Sequence, residues 1–293
     1  MSTCLITQLT ESVNDPKLLR INEIHLKVNT SAMKSIAFAY QSSNVDCRIV
    51  GDGHFTDSTG AANYGKEYSY GAPYTVYFSA GEYDLYLSSK HTFNAITFPS
   101  CSKGELLICD RALTQCENLY AVTLESVMGD GELFNLATDI VKDNIKSFRA
   151  SYQASAGGET VVGNLRDFKL DQMTSIFVQT QLVDCDLDDL VPNSSMTALR
   201  VGGLNAAVVG DVEKFGINLP NLTALYVNGY GSGDALTGTL ESLLNAMVAG
   251  GRSSGTLDVR FQGATRVMYN NAWVGDSIKY VTFGSQYPNG WNI

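Results

Sequence analysis

The sequence predicts a mainly β chain, in which an N-terminal antiparallel β-sandwich precedes a solenoid with a parallel sheet and short helical or irregular returns. Two observations lead to this fold class. A six-residue pattern, apolar-x-x-apolar-x-apolar, recurs from residue 93 onward at spacings of 22 to 34 residues. Residues 21–92 instead hold short runs of strand-forming residues, separated by Gly, Ser, Asn and Asp.

These two patterns divide the chain into three predicted parts. Residues 1–20 carry little strand patterning and are interpreted as an N-terminal arm or a first strand. Residues 21–92 form the sandwich, and residues 93–293 form a solenoid of about eight repeats. The segments 132–141 and 240–248 show helical spacing and are predicted as helical returns, the second ending at Gly250 and Gly251.

The solenoid prediction depends on the regularity of the repeats. Three copies, at 173–178, 196–201 and 222–227, are nearly identical in sequence. The third position of the motif holds a small residue in six of the eight copies. No single repeat can bury its own apolar residues, so stacked repeats must share one core. The eight copies begin at Phe93, Leu119, Ile145, Met173, Met196, Leu222, Thr256 and Ile278.

Composition excludes several classes of function. The 293 residues carry 20 Lys and Arg against 30 Asp and Glu, a net charge of -10, which disfavours nucleic-acid binding. No apolar run approaches a membrane span and no signal-peptide pattern is present, so we expect synthesis in the cytoplasm. The six cysteines form no metal or disulfide pattern and are predicted to be buried thiols. No catalytic motif is found, so we expect no enzymatic activity, no cofactor and no metal.

The most informative candidate site is a face of the predicted parallel sheet. The residue between the second and third apolar anchors points outward in every repeat, and Arg and aromatic residues recur at this position. The alternative is an ordinary solvated sheet face. The predicted binding face comprises Arg149, Phe177, Arg200, Tyr226 and Arg260, flanked by Gln179, Asn228 and Gln262; Thr97, Thr123 and Thr282 complete the outward column.

A second candidate is a tyrosine cluster in the predicted sandwich. Its members are Tyr64, Tyr68, Tyr70, Tyr74 and Tyr77. One interpretation is an aromatic platform for glycans or for a neighbouring subunit; the other is strand residues of a half-buried sheet.

The acidic segment from Asp184 to Asp189 also has two interpretations. Alternating carboxylates suit Ca²⁺, but Asp189 and Ser195 stand where a calcium-binding loop needs Gly and Glu. A helix N-terminus that favours acidic residues explains the segment better.

Both halves of the chain resemble known families. Residues 219–229, Leu-Pro-Asn-Leu-Thr-Ala-Leu-Tyr-Val-Asn-Gly, resemble leucine-rich repeats of the irregular kind found in gut bacteria and their tailed phages, although the family's buried Asn is absent. Residues 50–54, Val-Gly-Asp-Gly-His, with Tyr68-Ser-Tyr and the run 79–87, are similar to a PKD-like β-sandwich.

The resemblance implies a structural or adhesion component of a phage virion, made in the host cytoplasm and involved in host attachment. Its expected partners are other virion proteins, copies of itself or a host surface glycan. The alternatives are a bacterial surface or secreted leucine-rich-repeat binding protein, located extracellularly, and a glycan hydrolase on a phage tail, which would need paired carboxylates.

Overall fold

The computed structural model describes most of the chain from residue 23 to the C-terminus. The predicted N-terminal arm lies outside the described residues, so it stays a prediction. The described segments are 23–31, 34–40, 45–51, 55–57, 67–70, 74–89, 95–98, 106–108, 113–114, 116, 118–125, 133–140, 143–151, 161–179, 181–203, 206–229, 235–263, 267–274 and 277–293.

Strands dominate these segments, which confirms the mainly β prediction. The strands up to residue 108 are β1 (Glu23–Thr30), β2 (Lys34–Tyr40), β3 (Val45–Gly51), β4 (Phe55–Asp57), β5 (Glu67–Tyr70), β6 (Tyr74–Phe78), β7 (Gly81–Ser89), β8 (Ala95–Phe98) and β9 (Leu106–Ile108). The later strands are β10 (Ala121–Glu125), β11 (Phe134–Asn135), β12 (Ser147–Ser151), β13 (Val161–Asn164), β14 (Ser175–Phe177), β15 (Leu182–Asp186), β16 (Ala198–Val201), β17 (Val208–Asp211), β18 (Ala224–Gly229), β19 (Ala235–Thr237), β20 (Ser254–Gly263), β21 (Met268–Tyr269), β22 (Ala272–Trp273), β23 (Lys279–Gly284) and β24 (Trp291–Asn292).

The N-terminal part consists of antiparallel strands, as predicted. One sheet has the order β5-β3-β7-β1-β9, and β2, β6 and β4 form a second set. On β1, Ile24, Leu26 and Val28 are buried, because alternate side chains of a strand point to opposite faces. Strand β9 follows the predicted boundary at residue 93 and yet pairs with β1, so the two parts share a sheet.

The solenoid is built around one long parallel ladder, here called the front wall. It comprises β8, β10, β12, β14, β16, β18 and β20, which pair in that order. The second and third apolar anchors of all eight motif copies are buried, which confirms the predicted inward face. Each fully buried Leu, Ile, Val or Phe contributes about 1.5–3 kcal/mol to folding, and no repeat could supply that burial alone.

A second parallel sheet, here called the return wall, closes each turn. Its order is β11-β13-β15-β17-β19, which corresponds to about four turns of the solenoid. Both walls enclose one core: Phe148 of the front wall stacks on Phe134 of the return wall, with ring centroids 6.0 Å apart. The segment 132–141 was predicted to be a helix, and this is wrong, because Phe134 and Asn135 form return strand β11 and turns follow.

Two helices complete the later turns: α1 (Glu213–Asn218) and α2 (Leu240–Ala249). The prediction of a helix from Leu240 is confirmed. It begins there because the Thr239 hydroxyl accepts a hydrogen bond from Ser242 N at 3.1 Å, and the Ser242 hydroxyl accepts one from Thr239 N. It ends at Gly250.

Antiparallel strands terminate the front wall at both ends. Strand β2 pairs with β8, and this joins β6 and β4 to the front wall in one twelve-stranded sheet. At the other end β23 pairs with β20. The eighth motif copy is therefore a strand of the same sheet, but it runs against the other seven. Its Thr282 lies opposite Thr256 and not in the column of Arg260, which corrects the predicted column at this position.

Candidate functional site

The front wall brings the predicted Arg and aromatic residues into a single row. Arg149 lies opposite Phe177, Phe177 opposite Arg200, and Arg200 opposite Tyr226. Tyr226 in turn lies opposite Arg260. The residues on either side of each are buried, so these five side chains share the outward face of the sheet. We call this row the Arg–aromatic ladder.

Within the ladder, charged and aromatic groups stack on one another. The guanidinium carbons of Arg149 and Arg200 both lie 4.9 Å from the ring centroid of Phe177. Arg200 also lies 4.2 Å from the ring centroid of Tyr226. These distances are within the range of cation–π attraction, which contributes about 0.5–1 kcal/mol at an exposed site. The aromatic ring between Arg149 and Arg200 therefore holds the two cations about 10 Å apart, twice the spacing of adjacent strands.

The ladder is accessible at its surface. Arg149 is exposed, and the other four residues are partly exposed. Gln179 and Gln262 beside it are also partly exposed. Asn228 is not: its exposed fraction is 3%, so it does not lie on the surface where it was expected. The backbone of Gly202 explains this. Gly202 has a φ of +95°, and a Cβ there would overlap the carbonyl oxygen of Asn228.

A row of small residues runs beside the ladder on the same face. Ala121, Ser147, Ser175, Ala198 and Ala224 lie opposite one another in turn, and the hydroxyls of Ser147 and Ser175 are 2.7 Å apart. The sequence shows this column, but its role becomes clear only in three dimensions. Because these side chains are short, the longer ladder side chains rise above their neighbours.

A third row consists of threonines, and it ties successive turns together. The Thr174 hydroxyl donates a hydrogen bond to Lys146 O at 2.9 Å, Thr197 to Thr174 O at 3.1 Å, and Thr223 to Thr197 O at 3.0 Å. These threonines belong to the three nearly identical motif strings. Sequence reasoning missed their role, although the repetition of Thr after the first anchor was a usable signal.

Buried polar side chains add further links between turns. Gln181 is fully buried, and its carbonyl oxygen accepts a hydrogen bond from Val161 N at 2.9 Å. Asn193 is also buried and donates from Nδ2 to Leu170 O and Met173 O, each at 2.6 Å. Such bonds fix the register in which the ladder stacks.

Among the described residues, the most buried cation lies at the last full turn. Arg252 is 7% exposed and donates to Pro220 O at 3.0 Å, to Thr256 O at 2.6 Å and to Leu222 O. Its guanidinium lies 4.1 Å from the ring centroid of Phe283. Burial lowers the pKa of Arg252 to about 10, so the side chain is still charged at neutral pH.

The acidic segment has structural partners for its carboxylates. Asp186 accepts a hydrogen bond from Asp188 N at 3.0 Å and caps a single 3-10 turn over 187–189. The segment therefore begins a capped turn, as an acidic N-terminus would, but no longer helix follows it. Asp184 accepts from Ala207 N at 2.8 Å, and Asp188 lies 3.3 Å from Lys214. In the part of the chain that the structure describes, no group of three or more His, Cys, Asp or Glu side chains could hold a metal ion.

The tyrosine cluster is divided between two sets of strands. Tyr68 and Tyr70 belong to β5 of the five-stranded sheet, whereas Tyr74 and Tyr77 belong to β6. Tyr64 lies outside the described residues. The cluster therefore does not form a single row like the ladder.

The burial of two of the predicted buried thiols is described. Cys116 and Cys185 are both buried and take part in no disulfide. Burial raises the pKa of the Cys116 thiol to about 12. It also raises the pKa of the Cys185 thiol, and Asp186, Asp189 and Asp184 reinforce that shift. Neither thiol is a thiolate at neutral pH.

Comparison of the sequence with protein-family models, with curated proteins and with solved structures finds no match in any of the three. Among the described residues, no helix is both long enough and apolar enough to cross a membrane.

Proposed function

We propose that this chain is a non-enzymatic binding scaffold whose Arg–aromatic ladder contacts its partner. The observation that carries the proposal is the stacking of cations and rings over neighbouring strands of the front wall. Arg and Tyr are among the residues that contribute most to binding energy at protein interfaces. A regular solenoid wall that presents them in one line is suited to recognition over an extended surface.

Stacking also prepares the arginines for binding. A free Arg side chain loses about 2 kcal/mol of rotamer entropy when it is fixed, and part of that loss has already occurred where the guanidinium lies against a ring. Ring stacking uses the flat face of the guanidinium, while its N–H groups donate in the plane of the group. Carboxylates, sulfates and phosphates are the acceptors that fit this geometry.

The proposed biological setting is a phage virion, in which the chain would be a structural or adhesion component. This proposal is supported by the resemblance of residues 219–229 to leucine-rich repeats and of residues 50–54 to a PKD-like sandwich. The alternative setting is the surface or secreted fraction of a bacterium. Mass spectrometry of purified phage particles separates the two, because a virion component is present in stoichiometric amount and a bacterial surface protein is not.

The binding role is tested with ladder variants. We expect Arg200→Ala and Tyr226→Ala to abolish binding to purified particles or to a glycan array while circular dichroism stays unchanged. Tyr280→Ala is the matched control, because Tyr280 is a 67% exposed tyrosine of the same sheet outside the ladder. Undiminished binding by the two ladder variants would refute the proposal.

A further inference from the structure

The two walls of the solenoid carry opposite charge. The seven parallel strands of the front wall contain three basic and two acidic residues. The return strands and the turns that follow them contain two basic and nine acidic residues; these segments are 134–139, 161–167, 182–189, 208–214 and 235–242. Much of the acidity of the chain is therefore concentrated on one side of the core, while three arginines line another.

The acidic side is exposed where successive turns stack. Asp184 and Asp188 are exposed on one turn and Glu213 is exposed on the next, and the Asp188 side chain is 74% accessible. Lys214 offsets part of this charge, since it lies 3.3 Å from Asp188. Asp139 is buried, and Asp184, Asp186 and Asp211 each accept a hydrogen bond from a backbone N–H within the chain. The exposed part of the return wall still has an excess of carboxylates, and carboxylate is an acceptor for which the guanidinium is shaped.

The two walls also share one spatial period, because each turn contributes one strand to each wall. Adjacent strands lie about 4.8 Å apart, so the ladder covers about 19 Å over its five strands. The carboxylates of the return strands are not in register with one another, since Asp186 lies opposite Val209 and Asp211 opposite Thr237. The return wall of a second copy therefore matches the ladder in charge and in extent along the turns.

We propose that the Arg–aromatic ladder of one copy docks on the acidic return wall of a second copy. The inference rests on the proposed function, because it takes the ladder as the binding surface and assigns its partner. The two surfaces lie on different sides of the chain, so the contact is head-to-back and leaves one ladder and one return wall available for further copies. The expected product is a concentration-dependent series of oligomers rather than a closed dimer.

Individual ion pairs at this contact are weak. Exposed pairs contribute about 0.2–1 kcal/mol each, and two copies with a charge of -10 repel one another at long range. At physiological ionic strength charges farther apart than about 8 Å are largely screened, so the long-range repulsion fades while contact pairs persist. A charge-exchange experiment is therefore more decisive than a salt titration.

The test uses sedimentation velocity on the full chain over a range of concentrations. One variant reverses the ladder (Arg149→Glu with Arg200→Glu), and a second reverses the return wall (Asp188→Lys with Glu213→Lys). We expect the wild type to self-associate, each variant alone to be monomeric, and an equimolar mixture of the two to associate again. Lys146→Glu with Lys169→Glu is the control, because both lysines are exposed, lie outside the two surfaces and give the same change in charge as the ladder variant.

Several outcomes would overturn the inference: a monomeric wild type, a ladder variant that self-associates like the wild type, or a mixture that stays monomeric. If the wild type is monomeric but the ladder variants still lose particle or glycan binding, the self-docking fails and the proposed function stands. If the ladder variants keep all binding, both fail. Circular dichroism monitors the folding of every variant. If the ladder reversal unfolds the chain, the double variant Arg149→Gln with Arg200→Gln takes its place, and we expect it to weaken association.

Discussion

Replacement of Arg252 by Ala is expected to destabilise the chain more than any exposed charge substitution. The change removes donors to three backbone carbonyls, those of Pro220, Leu222 and Thr256, and the contact with Phe283. A hydrogen bond to a charged group contributes about 1.5–3 kcal/mol, and an unpaired buried acceptor carries its own desolvation cost. The energy of keeping the cation in a buried site, visible in its lowered pKa, offsets part of this sum.

We therefore expect Arg252→Ala to lower the free energy of unfolding by about 3–5 kcal/mol. Urea unfolding followed by circular dichroism measures this change. Arg252→Met fills more of the space without a charge, so its cost is smaller, but the three carbonyls still lose their donors. The control is Arg166→Ala: the Arg166 side chain is 66% exposed and lies 3.7 Å from Asp189, and its loss should cost under about 1 kcal/mol. If Arg252→Ala costs no more than Arg166→Ala, the assigned role of the buried cation is wrong.

Three further predictions test the ladder, the threonine row and a buried thiol. Phe177→Leu should lower the free energy of unfolding by about 1–2 kcal/mol, because two cation–π contacts are lost. The same substitution should cost less in an Arg200→Gln background, where one of the two contacts is already absent. Equal costs in thermal melts of the two backgrounds would contradict the stacking. Thr197→Val should lower the free energy of unfolding in urea by about 1 kcal/mol, because it removes the hydrogen bond to Thr174 O. Thr197→Ser should lower it much less, because Ser keeps the hydroxyl. Similar losses for the two variants would argue against this hydrogen bond. The raised pKa of Cys185 means that above its ordinary value of 9.0 the unfolded thiol ionises while the folded one stays protonated. Stability should then fall with rising pH, by up to about 1.4 kcal/mol per pH unit for this group, and Cys185→Ala should show a shallower fall in unfolding experiments at pH 8 to 10.

The sequence predicted the parts of the fold that follow from alternation along a strand. Inward anchors such as Phe148 and Leu199 are buried, and Arg200 and Tyr226 share the outward face, because a period of two residues fixes which side chains face the core. The direction of the last strand was not predictable in this way. A strand has the same alternation whether it runs parallel or antiparallel, so the motif at Ile278 gave no sign of the reversal.

Other features depend on contacts between turns that alternation does not specify. Asn228 is buried because a glycine in the neighbouring turn allows close approach of the backbone. Arg252 is buried because the chain after α2 returns across the carbonyls of an earlier turn. Polar residues are usually exposed, so the sequence alone predicts surface positions for an Asn or an Arg. The burial of these two residues follows only from the backbone that surrounds them.

The short strands at the two ends of the twelve-stranded sheet limit how this molecule can join others. The outermost strands are β4, with three residues, and β24, with two residues. Such short edges give another chain few backbone groups with which to extend the sheet, a device by which β proteins avoid uncontrolled aggregation. Augmentation of this sheet by a partner strand at these two ends is thus disfavoured, and the proposed contact through the Arg–aromatic ladder needs no free edge strand. Specificity in such a molecule can change by substitution of surface residues without any change in the pairing of its strands.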